Sequence, residues 1–242
     1  MTPVYPEGDD KTKVGFVPQI PYNTAMISQN VQALLDEVRA AEQRLGRTIT
    51  VVGVTKYVSV ADTQAVIDAG ITHIGENKVQ DGMAKKAACL GPNVTWHLLG
   101  HLQTNKIKKA VETFDWIESV DSFRVLQGIS EAAGKLGKVM NVLLEVNIAN
   151  EATKTGFSPK ELTENCAQFF SLANVMIRGI MTMPFPSSEQ SVYFGQAKIL
   201  FDQLSAQYPT VDTLSMGMSG DYSLAIEAGS TQIRVGSLLF AH

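Results

Sequence analysis

The chain has 242 residues, 45% of them hydrophobic and 18% charged, with a formal net charge of −4. That length and apolar content suit one sizeable α/β core and exclude a chain that is disordered throughout. The acidic balance gives no ground for a nucleic-acid partner, and no run approaches the ~18 apolar residues of a membrane span.

Residues 1–24 carry Pro3, Pro6, Pro18 and Pro21 and lack an apolar core of signal-peptide length, so they read as an irregular N-terminal extension to a folded unit over 25–242. A helix is expected from about Ala25, because Ile27, Val31, Leu34, Leu35, Val38 and Leu45 recur at helical spacing and Gly46 suits its end. Eight short β-rich runs then follow, at 49–55, 71–75, 94–99, 116–120, 139–146, 175–181, 211–215 and 231–235. Helical patterns separate them. Over 62–69, Ala65, Val66 and Ala69 make a face closed by Gly70; over 122–136, Val125, Leu126, Ile129 and Ala133 do the same. Ser158 and Pro159 read as N-cap and first helical residue, and 189–206 is the longest of these helices. Lys106, Lys108 and Lys109 read as a solvated helix face. Cys89 and Cys166, without metal or redox spacing, read as small core hydrophobes in a reducing, cytoplasmic setting.

Strand–helix alternation repeated eight times predicts parallel strands closed into a single (β/α)8 barrel of the TIM type. Only seven residues follow the eighth run, too few for a full helix, so the helix before the first strand is expected to cover the gap. An open doubly wound sheet is the other architecture considered. It would put a glycine-rich phosphate loop after the first strand, where this chain has Lys56 and no GxGxxG.

In such a barrel the chemistry sits at the C-terminal strand ends. Lys56 follows the first strand and Asn77 the second; Met218, Ser219 and Gly220 follow the seventh, and Gly236 and Ser237 the eighth. The last two loops set small residues and a hydroxyl ahead of helix starts, which favours an anion. Closure makes the eighth strand a neighbour of the first, so a phosphate cradle stands beside a lysine amine, the arrangement that a phosphorylated aldehyde needs. Burial of Lys56 among β-branched neighbours, with Arg234 nearby, is expected to free its amine. Lysine at a strand end is also, taken alone, an ordinary snorkelling side chain. Alternation turns Arg234 inward with Gln232 and Gly236, towards either ring or phosphate. His97 and His101 lie at a strand end with no partner set for zinc, so no metal is expected; Glu145 reads as a satisfied barrel carboxylate.

Seven stretches in order, GVTKYVS, HIGENKVQDG, WHLLGHLQTNK, VNIANEATKTGF, RGIMTMP, LSMGMSGD and STQIRVGSLLF, resemble the signatures of the pyridoxal-phosphate homeostasis proteins (the YggS/PROSC family). The resemblance runs from about Ile27 to Phe240. It implies a barrel of the alanine-racemase amino-terminal type, with pyridoxal 5′-phosphate held as a Schiff base on Lys56. It also implies that Met218 and Ser219 of the MGMS motif and the loop at Gly236 and Ser237 hold the phosphate, that Arg234 lies close to the cofactor, and that Asn77 belongs to the pocket. Gly220 stands where many members carry a different small or polar residue. The role implied is buffering, carrying and delivering the cofactor, with effects on amino- and keto-acid balance and transient contact with apo-enzymes. The alternative is a pyridoxal-phosphate enzyme of racemase or lyase type acting on a small amino acid, its base drawn from Lys56 or His97. A cofactor-free Schiff-base aldolase is a third class, disfavoured by a lysine on the first strand. Bacterial alanine racemases add a β-domain; the chain ends at His242 directly after the barrel, so that domain is not expected, and a monomer is.

Overall fold

The computed structural model describes residues 22–91, 93–151, 154–183 and 189–241. The extension over 1–24 therefore lies outside the described residues except for its last three, and the first of the helical residues is Thr24. Eight parallel strands close in sequence order: β1 (Thr50–Val54), β2 (His73–Glu76), β3 (Thr95–Leu98), β4 (Trp116–Val120), β5 (Met140–Glu145), β6 (Val175–Met181), β7 (Thr213–Ser215) and β8 (Gln232–Val235). β8 pairs with β1, with Arg234 beside Val52. The (β/α)8 barrel expected from the alternation is thus the fold, and the open sheet is excluded. Most strands are shorter than their apolar runs. Ile71, for example, precedes β2, because its side chain packs under Gly53 in the helix layer rather than joining the ladder.

The helices form the outer layer: α1 (Thr24–Leu45), α2 (Val60–Asp68), α3 (Val79–Ala88), α4 (Ile107–Thr113), α5 (Phe123–Lys135), α6 (Pro159–Phe170), α7 (Gln190–Gln207) and α8 (Tyr222–Glu227). Asn23 caps α1 by accepting from Ala25 N at 3.0 Å, and Gly46 ends it in the left-handed conformation at φ 66°. Its face of Ile27, Val31, Leu34 and Val38 is buried. α1 stands between α2 and α8: Gln32 donates to Ala69 O at 2.7 Å, Arg44 pairs with Glu227, and the Tyr222 hydroxyl donates to Glu37. Among the described residues a 3-10 turn over Ser237–Phe240 follows β8, and Asn30 of α1 reaches it by donating to Leu239 O at 3.3 Å. The helix before the first strand thus packs on this turn, between α2 and α8.

One correction concerns the cysteines. Cys89 and Cys166 are half-buried at the edge of the core rather than inside it, and both are free thiols. Among the described residues no helix is long and apolar enough to cross a membrane.

β5 and β6 change register between Val142 and Leu143, where Gly179 adopts φ 151°. A Cβ there would stand 1.8 Å from Thr213 O. The slip re-aims the end of β6, which carries Met181 and Thr182 to the barrel mouth. Gly179→Ala forces either the backbone conformation or the β6–β7 contact to yield, and it is expected to cost ~3 kcal/mol or more in urea unfolding.

Candidate functional site

The turn after β1 is fixed from both sides. Ser59 and Asp62 form a reciprocal capping box that starts α2, with Asp62 N donating to Ser59 Oγ at 3.1 Å and Ser59 N to Asp62 Oδ2 at 3.2 Å. On the strand side, Lys85 of α3 donates to Thr55 O at 2.5 Å and to the buried Glu76 carboxylate at 2.7 Å, which also accepts from the Thr55 hydroxyl at 2.6 Å. Between these anchors Tyr57 takes φ 67°, rare for a residue with a side chain. Lys56, in phase with the inward Val52 and Val54, projects over the barrel mouth with Nζ 5.7 Å from the Tyr57 ring centroid. Lys56 is exposed, contrary to the expectation of burial among β-branched neighbours. Those neighbours lie below it in the strand, and the chain has already left the sheet where the amine stands.

All the residues singled out at the strand ends, Lys56, Asn77, Met218, Ser219, Arg234, Gly236 and Ser237, line one cavity of about 540 Å³ at the C-terminal face. Gly100 forms part of its wall, and a Cβ on it would fall 2.2 Å from Asn77 O, so the loops after β2 and β3 touch backbone to backbone. A cleft of about 600 Å³ between α6 and α7 is larger, but it lies in the helix layer, walled by those two helices and by Ile148 and Asn150 of the loop after β5.

The loops after β7 and β8 meet through a hydroxyl. Gly236 N and Leu238 N both donate to Ser219 Oγ, at 3.1 and 3.3 Å. Two backbone N–H groups converging on one oxygen make a small anion cradle, with the hydroxyl in the position an anionic oxygen would take. Asp221, which carried no role in the sequence reading, shapes that loop by accepting from Met218 N at 2.6 Å.

Arg234 forms the floor. It is buried and donates to Ser215 Oγ at 2.8 Å and to Thr182 O at 3.0 Å. Beneath it Glu118, fully buried, accepts from His97 Nδ1 at 2.6 Å and from Ser215 Oγ and Gln232 Nε2, each at 2.8 Å. Burial alone raises a carboxyl's pKa, but the His97 and Ser215 hydrogen bonds and the Arg234 charge outweigh it and hold Glu118 below the ordinary range. Burial pushes Arg234 down and the Glu118, Asp221 and Glu145 charges oppose that shift; a guanidinium remains charged.

The family model for the alanine racemase N-terminal domain matches residues 29–242. The pyridoxal phosphate homeostasis protein of Pasteurella multocida is 35% identical over 228 residues, covering 91% of this chain and 96% of that protein. That of Escherichia coli K12 is 36% identical over 223 residues, covering 88% and 95%. This chain belongs to the pyridoxal phosphate homeostasis family. Among solved structures it is similar to PipY of Synechococcus elongatus PCC7942 with PLP bound, at a TM-score of 0.79 and 35% identity over 89% of this chain and all of that one.

Within this family member two histidines divide differently from the sequence reading. His97, named as a possible base, does not line the cavity. Its ring is buried in the barrel interior, stacked on Trp116 and held by Glu118. His101 lines the cavity instead, with Nδ1 2.7 Å from Asp121 Oδ2. Glu145 also lines it, together with Thr155 and Met181. Alternation along β5 could have signalled Glu145 as inward, but the place of His101 depends on how the loop after β3 folds.

His97 Nε2 lies 2.9 Å from His73 Nδ1. Burial first, then the neighbouring His97, lowers His73 to about 4, so it folds neutral. A histidine depressed from about 6.5 contributes stability that is present above pH ~6.5 and lost as the pH falls towards ~4. His73→Asn is expected to flatten the stability profile across that window by on the order of 1–2 kcal/mol, once solvent screening of a half-buried ring is allowed for, as read by urea melts at stepped pH.

Proposed function

We propose that this chain binds pyridoxal 5′-phosphate in the cavity at the barrel mouth and works in pyridoxal-phosphate homeostasis, holding the cofactor and passing it on. The observation that carries the reading is the convergence of Gly236 N and Leu238 N on Ser219 Oγ in a cavity also lined by Lys56 and Arg234. The residues fit the group. The N–H cradle with Ser219, Met218 and Ser237 suits its phosphate, Asn77 and Met181 line the space for its ring, and the cavity of about 540 Å³ suits a molecule of that size. When bound, the cofactor supplies an aldehyde that condenses with a primary amine and a ring that withdraws electrons. Lys56, exposed at the mouth and directed by the turn at Tyr57, is the amine we assign to that aldehyde. The Arg234 guanidinium does not release a proton at working pH, so beside the ring nitrogen it would leave that nitrogen unprotonated and the ring a weak electron sink. This favours holding the cofactor over turning substrate over. The enzyme reading also loses one of its two bases, because His97 faces the interior and not the cavity.

We further assign the protein to the cytoplasm as a monomer that meets apo-enzymes transiently. Its free thiols suit a reducing compartment. Exposed Tyr57, Met183 and Met218 around the site offer apolar surface for brief contact.

Borohydride reduction of the loaded protein is expected to fix one cofactor on Lys56, seen as a mass increase on the peptide that carries it. Lys56→Ala should show no such adduct and lose the visible absorption band. An adduct at full yield on another lysine of the variant, or no uptake by the wild type, would contradict the reading.

A further inference from the structure

The cavity wall across from Lys56 carries a set of groups that cofactor binding does not explain. β5 stands opposite β1 in the ring of eight strands, and its last residue, Glu145, is only 6% exposed. One of its oxygens accepts from the Thr155 hydroxyl at 2.9 Å. The other has no hydrogen-bond partner among the described residues, yet Glu145 lines the cavity. Arg234 does not satisfy it: no ion pair joins the two among the described residues, and the Arg234 donors go to Ser215 and Thr182. Beside Glu145 stands His101, 57% exposed, with Nδ1 at 2.7 Å from the nearly buried Asp121. With its Nδ1–H given to Asp121, a neutral His101 presents Nε2 as an acceptor.

The wall therefore offers a carboxylate oxygen, an imidazole nitrogen and a hydroxyl oxygen, and among the described residues no ion pair occupies the carboxylate. Burial, with the charge of Asp121 added, holds the Glu145 carboxyl above its ordinary range, although the Thr155 hydrogen bond and the charges of Arg234 and His101 work against that. A cation docked there relieves this cost. An anion is repelled by both Glu145 and Asp121, and so is any ligand whose carboxylate sits beside its amine.

We propose that Glu145, Thr155 and the His101–Asp121 pair form a binding site for a primary ammonium group with no carboxylate beside it, as at the end of a lysine side chain. This rests on the reading of the cavity as the cofactor site for its purpose, since it would bring an incoming amine to the wall facing Lys56; the binding itself does not require the cofactor.

Saturation-transfer NMR on the cofactor-free protein at pH 8, with ethylammonium and with glycine as probes, tests it. Ethylammonium is expected to bind at least about tenfold more tightly than glycine, and Glu145→Gln to weaken it about tenfold, the loss of one charge-assisted contact. His101→Gln should weaken it in the same direction. Equal binding of the two probes, or an unchanged ethylammonium affinity in a Glu145→Gln protein that melts like the wild type, would overturn the proposal. Pyridoxal-phosphate uptake by the wild type is followed separately by absorbance. Uptake without ethylammonium binding defeats this inference alone, and ethylammonium binding without uptake defeats only the functional reading.

Discussion

A carboxylate sealed inside the barrel is the constraint on which the mouth depends. Glu118 is fully buried, and its oxygens accept hydrogen bonds from three of the surrounding strands: from His97 of β3, Ser215 of β7 and Gln232 of β8. Breaking such a buried set by removing one partner costs several kcal/mol, because a charge is left uncompensated. The set therefore ties together strands far apart in sequence. It also fixes Ser215, which accepts from Arg234, so the guanidinium at the cavity floor is held by a network that begins one layer below it.

Above that floor the division of labour follows from charge. The cradle at Ser219 is built from neutral backbone N–H groups, which suits an anion without a cation to be desolvated. The acids, Glu145 and Asp121, stand on the other wall, and Asp221 is turned away to brace the loop after β7. Lys56 stands exposed because the strand ends below it, anchored by Lys85 through the Thr55 carbonyl and by the cap of α2. An amine placed in this way is available at the mouth, and its direction is set by backbone geometry rather than by burial.

Much of this was legible in the sequence. Short β-rich runs alternating with helical faces implied the closed barrel, and closure alone brought Lys56, Ser219, Arg234 and Gly236 to one rim. Inward alternation along β8 placed Arg234 and Gln232 correctly, since the pleat leaves no choice once Ile233 and Val235 face the helices. What was not legible depended on loops and on contacts across the barrel. Lys56 looked buried because its neighbours are apolar, whereas the chain turns at Tyr57 and lifts it clear. His97 and His101 look alike as a pair at a strand end, but one extra turn of chain puts the first on Glu118 and the second at the cavity. The partnership of Glu118 with Ser215, 97 residues away, has no local signature.

The claim that an ionised Glu118 secures Arg234 is tested most directly by the carbon-13 shift of the Glu118 side-chain carboxyl, followed through a pH titration of the intact protein. The account predicts a carboxylate signal that stays constant from pH 8 to pH 5, below which the ordinary glutamate range begins. A carboxylic-acid signal growing in within that interval would contradict it.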